Sequence, residues 1–153
     1  MDLGSLEVEW ISVLDKFNKL HAKYKLPGLS RAEFMLLHLI AKTPSGAVKI
    51  SGLATDLGVT TPAVSKLLKL LEEKYAIGRV NDITDRRITY IAMTSHGRTL
   101  YNAALQNMRQ IGLAVVEQVG EQEFNQFFHL AEQMYVAYET VFQEFDPQEE
   151  SCK

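Results

Sequence analysis

Between Gln110 and Glu150 this chain of 153 residues contains no lysine and no arginine, while nine acidic residues lie there, from Glu117 to Glu150. A segment of that sign is repelled by phosphate, so it belongs far from any surface that faces a polyanion. Cysteine is nearly absent: Cys152 is the only one, so no disulfide forms within the chain, and its polar surroundings suit an incidental thiol better than a redox sensor. No apolar run approaches the roughly 20 residues that a bilayer span needs. Asp2, Glu7 and Glu9 stand where a secretory leader would be basic, so the chain is expected in the cytoplasm, without a membrane partner. His21, His38, His96 and His129 are scattered without the short spacing of metal ligands, so neither a metal nor a cofactor is expected. Nor does a Ser/His/Asp, Cys/His, phosphate-loop or paired-carboxylate constellation appear, and the chain does not read as an enzyme.

What is present is enough apolar residue, 46%, to bury a core, and a length that fits a single domain over residues 1–153. The net charge of -3 is unevenly spread. From Thr60 to Arg98 seven basic residues face four acidic ones, a local +3 that leaves -6 for the remainder. Leu3, Leu6, Trp10, Val13, Phe17, Leu20 and Tyr24 recur at spacings of three and four, which predicts one apolar stripe on a first helix that ends near Pro27 and Gly28. Ser30 and Glu33 form a capping box, so a second helix begins at Arg31 and runs through Phe34, Leu37 and Ile40 to the Pro44, Ser45, Gly46 break. A short third helix fits Ile50 to Leu57, stopped by Gly58, with Lys49 at its cap position and Gly52 weakening it. Thr61 is the expected N-cap of a fourth, with Pro62 at its first position and Val64, Leu67, Leu68 and Leu71 inward.

After Gly78 the pattern changes to strands, Arg79 to Asn81 and Arg87 to Met93, joined by a polar turn through Asp82 to Arg86. Thr94 caps a long helix, and Glu121 to Phe145 forms the last, with Phe124, Phe128, Ala131, Tyr135, Tyr138, Phe142 and Phe145 on one stripe. That stripe, like the one on the first helix, is wider than one neighbour covers, which predicts a helical interface between two subunits. An amphipathic helix carrying Lys66 and Lys69, followed at once by a hairpin with Arg86 and Arg87 in its turn, suits contact with two adjacent grooves of a duplex.

From about Leu29 to Gly97 the chain resembles the multiple antibiotic resistance regulator (MarR) family of winged helix-turn-helix transcription factors. The matching pieces are SRAEFMLLHLIA, LATDLGVTTPAVSKLLKLLEEK, the Asp85, Arg86, Arg87 triplet and the MTSHG of Met93 to Gly97. The resemblance implies a mainly α fold with a small β-hairpin wing, a DNA-binding lobe at about 30–97, and dimerisation helices at about 3–25 and 98–146. It places Thr60, Thr61, Pro62, Ser65, Lys66 and Lys69 in a major groove and Arg87 in the flanking minor groove, with Asp85 orienting Arg87 and Arg86 meeting phosphate. Capping alone would also explain Thr61. Tyr75 departs from the family, which has glycine there, so either the fourth helix runs on toward Gly78 or the wing leaves at a different angle.

The resemblance further implies a homodimer that binds double-stranded DNA at a pseudo-palindromic operator, acts as a repressor rather than an activator, and responds to a small aromatic ligand. Trp10, Phe17, His21, Tyr24 and His38 are the candidate lining for that ligand, though each also fits a core position. The alternative reading is a winged-helix protein-interaction module without DNA binding, which the acidic C-terminal half and Tyr75 favour.

Overall fold

The computed structural model describes residues 3–82, 85 and 88–145. Among these residues six helices and three strands follow one another as α1 (Leu3–Lys23), α2 (Arg31–Lys42), β1 (Ala47–Lys49), α3 (Leu53–Leu57), α4 (Thr61–Glu73), β2 (Ile77–Asn81), β3 (Thr89–Met93), α5 (Ser95–Val119) and α6 (Glu121–Phe145). The strands make one antiparallel sheet in the order β1-β3-β2, with Lys49 opposite Tyr90 and Ile77 opposite Met93. The chain divides into two compact units, Met1–Met108 and Arg109–Lys153. No described helix is long and apolar enough to cross a membrane.

The core lies in the first unit. Leu36, Leu37 and Ile40 of α2, Leu53 of α3, Leu71 of α4 and Ile91 of β3 are its largest fully buried side chains. Val64, Leu67 and Leu68 complete the inward face of α4, as their spacing predicts. Tyr101 and Ala104, from the first turns of α5, join the same cluster. In the second unit α6 buries none of its residues.

The capping box is present: the Ser30 hydroxyl accepts from the Glu33 N–H at 3.3 Å, and the Glu33 carboxylate accepts from the Ser30 N–H at 2.6 Å. Glu33 also does something that its capping role does not announce. Its buried carboxylate accepts from Lys74 Nζ at 2.8 Å, and the same ammonium donates to the Gly28 carbonyl at 3.0 Å. The loop after α1, the start of α2 and the end of α4 are thus tied at one point. Burial by itself pushes the Glu33 carboxyl up, but the hydrogen bonds from Lys74 and then from Ser30 outweigh it and hold the group below its ordinary value.

Several boundaries depart from the sequence expectation. The third helix starts at Leu53 instead of Ile50, because Ala47–Lys49 is paired as a strand. Lys49 is therefore not a cap; Gly52 takes that place and lies outside the helix it was expected to weaken. Gly58 stops α3 as expected, at φ 63. The N-cap of α4 is Thr60, whose extended backbone lets its hydroxyl accept from the Ala63 N–H; Thr61 is already helical. β2 begins two residues before Arg79, at Ile77, and β3 is described from Thr89.

Tyr75 settles how α4 ends. The helix does not run on toward Gly78; Lys74 is its C-cap and Tyr75 adopts φ 53, the left-handed conformation. The Tyr75 N–H reaches the Glu72 carbonyl at 2.8 Å and the Ala76 N–H reaches the Leu71 carbonyl at 2.9 Å. Those two bonds are a Schellman closure, and the buried pair Leu71 and Ala76 supplies its apolar contact. Thr94 then clamps the turn, donating its hydroxyl to the Tyr75 carbonyl at 2.7 Å while accepting the Gly97 N–H at 3.0 Å. Gly97 is required by packing: a Cβ there would lie 1.9 Å from the Ala76 carbonyl oxygen.

Tyr75→Gly removes the left-handed cost and is expected to raise unfolding free energy by about 1 kcal/mol in a urea titration, whereas Tyr75→Ala is not. Lys74→Met strands a buried carboxylate and is expected to cost about 3–5 kcal/mol at neutral pH. Because the folded carboxyl of Glu33 is lowered, its contribution is complete above the unfolded value of about 4.3 and disappears as pH falls through the folded one. The stability gap between wild type and Glu33→Gln is therefore expected to close on acidification, and a gap independent of pH would contradict the ion pair.

Candidate nucleic-acid interface

α4 is divided cleanly by burial. Val64, Leu67, Leu68 and Leu71 face the core, while Thr60, Thr61, Pro62, Ser65, Lys66 and Lys69 are all exposed. The division follows from the 3.6-residue period, which puts residues 61, 62, 65, 66 and 69 on one side of the helix. Pro62 lies in the first turn, where its missing N–H costs nothing. The unsatisfied N–H groups of that turn point the positive end of the helix dipole outward beside these side chains.

The polar groups of this face are not equally available. The Thr60 hydroxyl is engaged as the cap, and the Ser65 hydroxyl donates back to the Thr61 carbonyl at 3.2 Å. Lys69 lies 3.9 Å from Glu73, an exposed pair one turn apart that holds it weakly. Lys66 meets no carboxylate among the described residues.

The basic surplus counted from the sequence shrinks accordingly. Lys74 is committed to Glu33, and Arg79 to Glu72, with Nε at 2.6 Å. The hydrogen bond that Arg79 donates to Glu72 raises the Arg79 pKa against a smaller opposing effect of burial. That pair links β2 to α4, so Arg79, though exposed, is held against the helix and is not free charge. Nothing in sequence spacing distinguishes these two cations from Lys66, because their partners lie on other elements.

At the hairpin tip, the Asp82 carboxylate accepts the Asp85 N–H at 3.0 Å, and the Asp85 carbonyl accepts the Ile88 N–H at 2.9 Å. A further bond from the Asp82 N–H to the Ile88 carbonyl closes the strands. Asp85 is thus held by its backbone within the turn that carries the basic pair. Arg86 and Arg87 themselves lie outside the described residues.

Of the residues assigned to a ligand, Trp10, Phe17 and Tyr24 are exposed on or just after α1, and the His21 side chain lies outside the described set. Tyr24 lines a cleft of about 680 Å³ together with Lys25, Gly28 and Arg31, and its hydroxyl donates to Asn107. His38 sits elsewhere, its Nδ1 2.9 Å from the Tyr101 hydroxyl and its ring against Phe34. Among the described residues no group of His, Cys, Asp and Glu is placed to hold a metal.

Residues 28–88 match the model of the MarR family. The chain is 26% identical over 113 residues to the HTH-type transcriptional repressor MdtR of Bacillus subtilis, covering 74% of this chain and 72% of that one. Among solved structures it is similar to a probable transcriptional regulator from Pseudomonas aeruginosa, with a TM-score of 0.70 at 19% identity over 84% of this chain and 98% of the other. It is also similar to a point mutant of MarR from E. coli complexed with operator DNA, with a TM-score of 0.59 at 18% identity over 70% and 76%.

The two adjacent threonines separate by stability. Thr60→Ala is expected to cost about 1 kcal/mol in thermal or urea unfolding, and Thr61→Ala roughly 0.5 kcal/mol or less. The opposite order would return the cap to Thr61.

Proposed function

We propose that the chain is a member of the MarR family, whose model residues 28–88 match, and that it is a sequence-specific, double-stranded DNA-binding transcriptional regulator, a repressor that acts as a homodimer in the cytoplasm. The observation that carries the reading is the exposed face of α4, polar and basic and backed by a wholly apolar one, with a closed hairpin immediately after it. In this reading Thr60, Thr61, Pro62, Ser65, Lys66 and Lys69 meet the major groove. Arg87 enters the flanking minor groove with Asp85 beside it, and Arg86 meets phosphate. MdtR is itself a transcriptional repressor, and MarR has been seen on operator DNA, which supports the assignment.

The dimer is supported by what each unit leaves uncovered. Trp10, Val13 and Phe17 are exposed on α1, and Phe128, Tyr135, Phe142 and Phe145 on α6. Apolar area on that scale is characteristic of an interface. The acidic character of residues 110–150 keeps such an interface away from phosphate. A small aromatic ligand is the proposed effector, with Trp10, Phe17, His21, Tyr24 and His38 as its candidate contacts. The cleft beside Tyr24, with Lys25 and Arg31 in its wall, supports that part of the reading for a ligand carrying negative charge.

Selection of genomic fragments by the purified protein, followed by gel-shift titration at two salt concentrations, tests the proposal. Two chains per site are expected, with half-sites about one helical turn apart. Arg87→Ala is expected to lower affinity sharply and weaken preference for A·T flanks. Lys69→Ala is expected to lower affinity for every sequence and flatten the salt slope by about one unit. A protein-interaction module would instead show no salt-dependent retention of DNA.

A further inference from the structure

A helix in one groove and a hairpin in the next must straddle the sugar-phosphate strand that separates them. Whatever lines the gap between helix and hairpin therefore faces that strand. Here the gap is a slot of about 380 Å³ whose wall includes Lys49, Ser51, Thr61, Ser65, Ile88 and Thr89. Its apolar floor is provided by Val64 and Leu68, both buried. Lys49 is brought there by β1: it lies opposite Tyr90, and the next residue, Ile50, donates its N–H to the Thr89 carbonyl at 3.1 Å. Lys49 is exposed, and among the described residues no carboxylate comes within ion-pair distance of it. Lys74 and Arg79, by contrast, are both engaged with carboxylates inside the lobe.

We propose that this slot seats the phosphate strand between the two grooves and that Lys49 is its cation, a third contact between the helix and the wing. The hydroxyls of Ser51 and Thr61 supply neutral hydrogen-bonding groups around the phosphate, that of Thr89 being engaged with Asn81 at 3.3 Å, and a lysine suits it as a mobile point charge. The contact reads no base, because it meets only the backbone. It rests on the DNA-binding reading above.

The test is the binding of the full chain to a selected genomic fragment across a range of salt, for wild type, Lys49→Gln and Lys49→Arg. Lys49→Gln is expected to lose roughly 3- to 10-fold in affinity near 0.1 M salt and to flatten the salt slope by about one unit, equally for fragments of different sequence. Lys49→Arg is expected to keep the slope. Melting of Lys49→Gln should match wild type, since an exposed and unpaired side chain is removed. Wild type binding with an unchanged slope in Lys49→Gln, or a loss confined to particular base pairs, overturns the assignment of Lys49 and leaves the DNA-binding reading standing. Wild type without salt-dependent DNA retention overturns both.

Discussion

The Glu33 carboxylate, buried between the start of α2 and the end of α4, is the constraint on which the lobe depends. A buried charge is tolerated only when it is fully paired, and this one is: Ser30 supplies its backbone N–H, and Lys74 supplies an ammonium that also binds the Gly28 carbonyl. Three separate stretches of chain are fixed by that single cluster. Because Lys74 is also the C-cap of α4, the cluster sets where the helix stops and hence where the hairpin begins.

From that stop the geometry propagates. Tyr75 takes the left-handed turn that glycine would take more cheaply, and Thr94 and Gly97 hold it from the other side of the hairpin. Glu72 then holds Arg79 at the base of β2. The angle between helix and wing is thus specified by hydrogen bonds and ion pairs at both ends of the turn, and two cations, Lys74 and Arg79, are committed to carboxylates of the lobe in doing so. The charge that remains outward on α4 and β1, Lys49, Lys66 and the weakly held Lys69, is smaller than a residue count suggests but concentrated on the side that carries the helix N-terminus.

The two units differ in how their apolar residues are used. In the first, the stripes of α2 and α4 meet each other and Ile91, so periodicity translates into burial there, while Trp10, Val13 and Phe17 of α1 stay exposed. On α6 the same kind of periodicity, with more aromatic residues, produces no buried side chain at all. Apolar residues at helical spacing establish only that a helix has an apolar side; a second surface of matching shape decides whether that side is covered.

Much was legible in the sequence because it depends on neighbours one turn apart. The Ser30 and Glu33 box, the inward face of α4, the stop at Gly58 and the start of α6 at Glu121 are local matters of capping, period and backbone freedom, and the amino acids alone determined them. The cap falls one residue before the one the sequence suggests because Thr60 and Thr61 offer the same hydroxyl, and only the backbone angles tell which is extended. β1 is not legible in the sequence because three residues carry too little pattern to declare a strand; their state is decided by pairing with β3, more than 40 residues away along the chain. The same holds for Glu33 with Lys74 and for the slot at Lys49. Which cations are bound inside the fold and which are left to face a partner is a matter of long-range contact, and only the tertiary structure decided it.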